Sequence, residues 1–208
     1  YTTGFKFECM DDNGRALGIA TSRGCVNRCN FCYRMEKGIR FRSVELVVEE
    51  MRILHESYGV SYFIMQDELF VASKKRIFEF RDCIKKNGLK IQYDCNARVD
   101  IFDEELVESL KDSGCVFVNF GMESSDQNVL DLMGKRTTVE QNIKAAELTR
   151  RVGLTVGLNF IWGNVGDTEE SLKGNVKLIK QYNTYFQLRT IRPVTPYPGS
   201  PLYYEAIN

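Results

Sequence analysis

Six times along this chain a short apolar, β-rich run ends in polar or Gly residues and gives way to a helical pattern. That alternation limits the fold more than any other feature, because strands that alternate with helices build a parallel sheet with right-handed crossovers. The first strand is expected at about Leu17 to Ser22. A helix follows from Ser43, with Val44, Val47, Val48, Met51 and Leu54 on one face at helical spacing. Ser43 is a good N-cap for it and Gly59 a good stop. The second strand falls at Val60 to Gln66. Its helix runs from Ser73 to Asn87, with Ile77, Phe80 and Ile84 inward. The third strand falls at Leu89 to Cys95, and its helix opens at Asp103 and buries Leu106, Val107 and Leu110. After the fourth strand, Cys115 to Phe120, come a short helix from Asp126 and a longer one from Thr137. Thr137 and Glu140 read there as a capping box. The fifth strand, Leu154 to Trp162, leads to a helix that starts near Asp167 and carries Leu172, Val176 and Ile179. The sixth, about Tyr185 to Ile191, runs into a stretch too rich in Pro for helix or central strand.

Six such units in 208 residues are two short of a closed eight-unit barrel. The expected fold is therefore α/β: a partial barrel of six parallel strands, helices outside, open on one side. Residues 1–15 read as a lead-in, with Phe5 to Phe7 and the turn-forming pair Asn13-Gly14 as a small hairpin. Residues 16–208 form the core domain. The chain starts at Tyr1 rather than Met, which reads as a stretch excised from a longer protein.

Lys plus Arg and Asp plus Glu balance at 28 each, so net charge marks neither a nucleic-acid nor a membrane partner. The apolar stretches are far too short to cross a bilayer. Seven Cys without a signal peptide point to a reducing cytoplasm.

Three of those thiols stand together as Cys25, Cys29 and Cys32, spaced C-x3-C-x2-C in a loop rich in Gly, Asn and Arg. A four-iron cluster usually takes four Cys. Three local ligands leave one iron open, and open metal positions are where chemistry happens. A zinc site would want paired knuckles, and the only His, His55, sits inside a helical pattern. The remaining thiols, Cys9, Cys83, Cys95 and Cys115, are scattered over a hairpin, a helix and two strands, and read as small buried hydrophobes.

In barrels the reactive end is where strands finish. The cysteine loop follows the first strand, and polar residues recur at later strand ends: Gln66, Asp67 and Glu68; Asn96 and Arg98; Glu123 and Ser124; Asn159; Arg192. Singly, each has the residue type of a helix cap or a solvated rim charge. Their shared position is what favours a site.

Cys25 to Cys32 resembles the signature loop of the radical S-adenosylmethionine (SAM) enzymes. Gly121-Met122-Glu123-Ser124, the run from Ile161 to Asp167, and the run from Thr195 to Tyr203 are similar, in order and spacing, to motifs of the branch holding methylthiotransferases and cobalamin-dependent enzymes. The likeness extends from about Gly18 to Tyr203. It implies a partial six-unit barrel, a 4Fe–4S cluster on Cys25, Cys29 and Cys32, and SAM chelating the open iron. One electron would cleave the sulfonium to methionine and a 5′-deoxyadenosyl radical that takes hydrogen from a substrate. The protein's part is to hold and orient the reactants in a dry site.

The resemblance implies that Phe31 and Tyr33 border the adenine, and that Gln66, Asp67 and Glu68 meet the methionine amino group. Arg98 and Glu123 would reach the SAM carboxylate, amine or ribose, while Asn159 and Ile161 flank ribose and adenine. Ser124 and Arg192 complete the cofactor-side set. The chain departs from the family at Asn159, where Gly is common, and at Asp167, where Glu is common. Tyr33-Arg34, Arg40 to Ser43 and Asp67 to Phe70 are similar to cobalamin-dependent members, which carry cobalamin on a separate domain that this chain lacks. Five Arg between positions 23 and 42 form the one local basic concentration. They suit an acidic substrate group or a reductant such as flavodoxin or ferredoxin. The substrate, a small molecule or a peptide, is left open. The competing readings are an electron carrier with a closed cluster, which needs a fourth local ligand, and a zinc-stabilised module, which leaves the strand-end residues unexplained.

Overall fold

The structure, a computed structural model, describes residues 14–34, 38–182 and 191–208. In chain order the elements are β1 (Arg15–Ile19), β2 (Ser22–Cys25), β3 (Gly38–Phe41), α1 (Val44–Tyr58), β4 (Val60–Met65), α2 (Lys74–Lys86), β5 (Gln92–Ala97) and α3 (Glu104–Asp112). They continue with β6 (Cys115–Glu123), α4 (Gln127–Leu132), α5 (Val139–Arg151), β7 (Thr155–Trp162), α6 (Glu169–Gln181), β8 (Ile191–Pro193) and α7 (Pro201–Ile207). β1, β4, β5, β6, β7 and β8 lie side by side in that order, every pair parallel, in a sheet curled into a half-barrel. β1 and β8 are its two edges.

Side chains alternate across each strand, and the two faces of the sheet differ in kind. Outward, Phe63, Met65, Tyr93, Cys95, Val118, Phe120, Val156 and Leu158 pack on Val47, Met51, Ile77, Leu106, Leu110 and Ala145 of the helices. Each fully buried large apolar side chain there contributes roughly 1.5–3 kcal/mol. Inward, Asp94, Asn96, Asn119, Gly121, Gly157 and Asn159 share the half-barrel's interior with Tyr62, Ile64 and Phe117, so this face mixes polar and small residues with aromatic ones. Phe70, in the connection after β4, meets Phe80 and Tyr93 edge to face with centroids 5.6 Å apart. Its N–H, and that of Val71, donate to Asn96 O. The loop that follows β4 is thereby fixed over the end of β5.

Caps fall where local chemistry puts them in most cases. Ser43, Ser73, Asp103 and Asp126 each accept a backbone N–H at a helix start. Other expectations are corrected. The cap of α5 is Thr138, paired reciprocally with Gln141, and not Thr137 with Glu140. The Thr137 hydroxyl is buried without a hydrogen-bond partner among the described residues. The first strand ends at Ile19, and Ser22–Cys25 belongs instead to an antiparallel pair with Gly38–Phe41. The third strand is shifted toward its C-terminal side, to Gln92–Ala97. On α6, Ser171, Asn175 and Leu178 are buried and Ile179 packs against the core, while Val176 is exposed. The lead-in hairpin, Cys9 and residues 185–190 of the expected sixth strand lie outside the described residues. No helix among the described residues is long and apolar enough to cross a membrane.

Candidate functional site

The cysteine loop leaves β2 at Cys25 and is anchored at several points. At its base, Asp67, just past β4, accepts from Thr21 N (3.0 Å), Thr21 Oγ1 (2.8 Å) and the Ser22 hydroxyl. Three donors on one carboxylate offset the cost of burying its charge. Further along, Asn30 N donates to Met133 O at 2.9 Å and its amide to Leu132 O at 3.0 Å, while Leu202 N of α7 donates to Asn30 O at 3.0 Å. Gly199, at φ +93, lies flat against the Tyr33 ring, where a Cβ would sit 2.8 Å from a ring carbon. The ligand loop thus takes its shape from distant segments, 46 residues away at Asp67 and more than a hundred at Met133, Gly199 and Leu202.

Cys25, Cys29 and Cys32 line a cavity of about 340 Å³ together with Glu68, Asn96, Arg98, Glu123, Lys135 and Asn159. Asn119, Phe31 and Tyr33 also border it. Glu123 sits at the end of β6, where the pairing with β7 slips at Gly121–Glu123, and takes φ +65. A bulge of this kind re-aims a side chain at a sheet's rim. The Glu123 carboxylate meets Lys135 Nζ at 3.0 Å, both side chains under a tenth exposed. They pack over Gly121, where a Cβ would come within 2.5 Å of Glu123 Oε1 and 2.9 Å of Lys135 Nζ. Arg98 holds the loop that carries Lys135: its Nη2 donates to Lys135 O at 2.9 Å, and its guanidinium pairs with Asp100.

These charges act on the thiols. The hydrogen bond from Cys32 is the main influence that lowers the Cys29 pKa to about 6, with Lys135 and Arg98 adding to it. The same hydrogen bond, followed by burial, pushes the Cys32 thiol up. One thiolate of the pair is thus prepared, and thiolate is the metal-binding form.

A second cavity of about 340 Å³ adjoins the first across Phe31, Cys32 and Tyr33, and is lined beyond them by Ile161, Arg192, Val194 and Tyr197. Phe31, Ile161 and Val194 pack there with Val129 and Met133 in a small apolar cluster. Of the cofactor-side residues expected from sequence, Phe31, Tyr33, Glu68, Arg98, Glu123 and Asn159 border the first cavity, and Ile161 and Arg192 the second. Three line neither. Asp67 spends its carboxylate on Thr21 and Ser22. The Gln66 amide lies over Gly18 of β1, within 2.3 Å of where a Cβ would be. Ser124 is fully buried and its Oγ accepts from Asp126 N, shaping the entry to α4. Lys135 is the residue that the sequence reading missed. Its only local signal is a Lys-Arg pair after Gly134, between two short helical patterns.

The donor set fits a cluster with SAM. Among the described residues no group of Cys, His, Asp or Glu converges as for one metal ion. Three thiols that border one cavity, with Cys29 and Cys32 in hydrogen-bond contact, suit a cluster, where each ligates a different iron. The buried Glu123–Lys135 pair in the same cavity is complementary to an amino acid's ammonium and carboxylate.

Parallel half-barrel, strand-end site and a three-thiol loop define the core of a cluster-binding α/β enzyme. The chain belongs to the radical SAM superfamily, whose family model matches residues 19–179. It is 36% identical to "Uncharacterized methyltransferase PH0819" of Pyrococcus horikoshii over 91% of its own length and 41% of that protein's. It is 32% identical to the anaerobic magnesium-protoporphyrin IX monomethyl ester cyclase of Rubrivivax gelatinosus over 88% of the chain and 34% of that enzyme. The chain therefore spans well under half of these relatives. Among solved structures it superposes on the radical SAM methyltransferase TsrM of Kitasatospora setae with a TM-score of 0.80 at 20% identity, covering 92% of this chain and 36% of that one. It matches the cobalamin-dependent SAM radical enzyme OxsB at 0.70 and 26% identity, covering 93% and 30%.

Proposed function

We propose that this chain is the catalytic core of a cobalamin-dependent radical SAM methyltransferase. The observation that carries the reading is a single cavity lined both by Cys25, Cys29 and Cys32 and by the buried Glu123–Lys135 pair. Cys25, Cys29 and Cys32 hold a 4Fe–4S cluster. When bound, the cluster supplies the one electron that opens the SAM sulfonium. Glu123 would accept a hydrogen bond from the methionine amino group of SAM and Lys135 would pair with its carboxylate, so the existing ion pair opens to receive the methionine end of SAM. Arg98 positions Lys135 from behind. Phe31, Ile161 and Val194 give the adenine an apolar slot, and Tyr33, Asn159 and Arg192 border it. Glu68, exposed, borders the same cavity as the thiols. The methyl-transfer assignment is supported by relatives named as methyltransferases at 27 to 36% identity, and the use of cobalamin by the likeness to the cobalamin-dependent enzyme OxsB. Cobalamin would come from a part of the protein outside this chain. A reducing compartment, the cytoplasm, suits the thiol ligands, and a small acidic protein suits as electron donor.

The test is anaerobic reconstitution with iron and sulfide, followed by reduction and addition of SAM. About one four-iron cluster is expected per chain, with an electron paramagnetic resonance spectrum that changes on SAM addition and slow formation of 5′-deoxyadenosine. Alanine at Cys25, Cys29 or Cys32 should abolish cluster content, and alanine at Cys83 should spare it. A spectrum indifferent to SAM, with no deoxyadenosine, would establish the electron-carrier reading instead.

A further inference from the structure

Among the described residues only two combine a Cβ with a left-handed backbone, Glu123 at φ +65 and Arg136 at φ +56. Both belong to one feature. Glu123 is half of the buried ion pair, and Arg136 adjoins its other half, Lys135. Positive φ is unfavourable for a residue with a Cβ and persists only where the surroundings impose it. At Arg136 the cause is plain, since Arg98 Nη2 reaches its carbonyl at 3.4 Å as well as that of Lys135 at 2.9 Å. At Glu123 the backbone closes on itself: Ser124 N donates to Met122 O at 2.8 Å, two residues back, forming a γ-turn around Glu123. With positive φ at its centre this is the rare and strained form of that turn. The ladder to β7 pairs Gly121 and Glu123 and passes over Met122, which leaves the Met122 carbonyl to the turn and to what packs behind it.

Behind it stands Asn142 of α5. Asn142 is fully buried, and its Nδ2 donates to Met122 O at 3.2 Å and reaches Ser124 O at 3.5 Å. One amide thus bridges the carbonyls on either side of Glu123. Both carbonyls can only accept, which fixes the amide's orientation. Its Oδ1 is left buried and without a hydrogen-bond partner among the described residues. Asn is a poor residue for a helix interior, and an unsatisfied buried oxygen is costly. Packing alone therefore gives no reason for Asn142, since an apolar side chain of similar size would suit α5 better. The Lys135 loop runs directly into α5, so the same residue ties one half of the ion pair to the other. Just past the turn, Asn175 Oδ1 of α6 accepts from Ser125 N at 2.6 Å and holds its exit.

We infer that Asn142 is a positioning residue for SAM: its amide holds the strained turn that aims the Glu123 carboxylate at Lys135 and into the cofactor cavity. Asn142 borders neither cavity, so it acts only through Glu123. A turn kept strained by the fold is ready for the ligand. One that is free to relax must be formed again on binding, and affinity bears that cost. That the ligand is SAM rests on the function proposed above.

Asn142→Leu keeps the bulk of the side chain and removes the donor. In the anaerobically reconstituted protein with its cluster oxidised, cluster content should match the wild type. SAM affinity, measured by equilibrium dialysis, should fall on the order of tenfold. Exchange of the Ser124 amide hydrogen, whose bond closes the turn, should speed up by a similar factor. In a double-mutant cycle with Glu123→Gln the two losses of SAM affinity should not add, because one residue acts through the other. A merely structural role would instead lower cluster content and leave the cycle additive. Asn142→Ser, whose hydroxyl bonds back to its own helix, is measured alongside and carries the same expectations should the leucine variant fail to fold. SAM binding that depends on Glu123 but is unchanged by Asn142→Leu, or losses that add in full, overturns this inference alone. A wild-type protein that binds no SAM sinks the enzymatic reading, and the Ser124 exchange rate then decides whether Asn142 holds the turn.

Discussion

The Glu123–Lys135 pair shows how a site can be half legible at the level of single residues. Glu123 stands out in sequence because it ends a strand. Lys135 does not, because it lies in a connection between helices, and only the folded chain brings it to Glu123. Asp67 is the reverse case: its position was plain, but its partners, Thr21 and Ser22, were not, since that contact spans 46 residues. With both ions under a tenth exposed, removing one strands the other. Glu123→Gln should destabilise the protein by roughly 3–5 kcal/mol, and adding Lys135→Met should restore most of that loss. Urea denaturation of the three proteins is the measurement, and equal stability of single and double variants would refute the pairing. Gly121→Ala puts a carbon within 2.5 Å of Glu123 Oε1. Since the clash is with two flexible side-chain ends, the fold should survive while SAM affinity falls on the order of tenfold, about 1.4 kcal/mol.

Among the elements, those with strong local chemistry were readable and those made by tertiary pairing were not. Four helix starts coincide with the Ser or Asp that local capping rules select. At Thr137-Thr138 two equivalent candidates adjoin, and backbone geometry chose the second, whose partner Gln141 reaches back. The β2–β3 pair was invisible because its strands are four residues each, carry Gly, Arg and Cys, and show no apolar alternation. α7 was hidden behind a Pro-rich approach, although Pro201 after Ser200 is a favourable helix start. The hairpin depends on the Asp67 carboxylate for its first turn, and Arg42 N also donates to Thr21 O at 2.9 Å. Asp67→Asn exchanges an acceptor oxygen for a donor facing Thr21. It should cost about 1.5–3 kcal/mol and lower cluster content, although Asp67 does not border the cavity. Gln66→Ala, on the adjacent residue, should leave cluster content unchanged. Iron analysis of both variants, with hydrogen exchange at the Thr21 and Arg42 amides, tests whether the carboxylate acts through the hairpin.

For the molecule as a whole, strand–helix alternation was sufficient to give the half-barrel. The polar character of its inner wall was not readable, because every second residue of a strand must first be assigned a face. Net charge also hides what the surface does. The totals cancel at 28 each, yet Arg23 and Arg40 occupy directly opposed positions across the β2–β3 pair. Beside them Arg28 and Arg34 line a concavity of about 490 Å³ next to the cysteine loop. Together these guanidinium groups and the concavity would suit an acidic partner that approaches the cluster from this side. If so, the encounter is steered by local field and not by total charge. Reduction of the reconstituted cluster by flavodoxin, followed by anaerobic stopped flow, should slow roughly tenfold as salt rises toward 0.5 M and the screening length contracts to a few ångströms. Arg28→Glu with Arg34→Glu should slow the reaction at low salt and remove most of the salt dependence, while reduction by dithionite, a small anion, changes much less. A flavodoxin rate that is flat with salt, or a double variant that matches the wild type, would exclude this face as the electron-donor site.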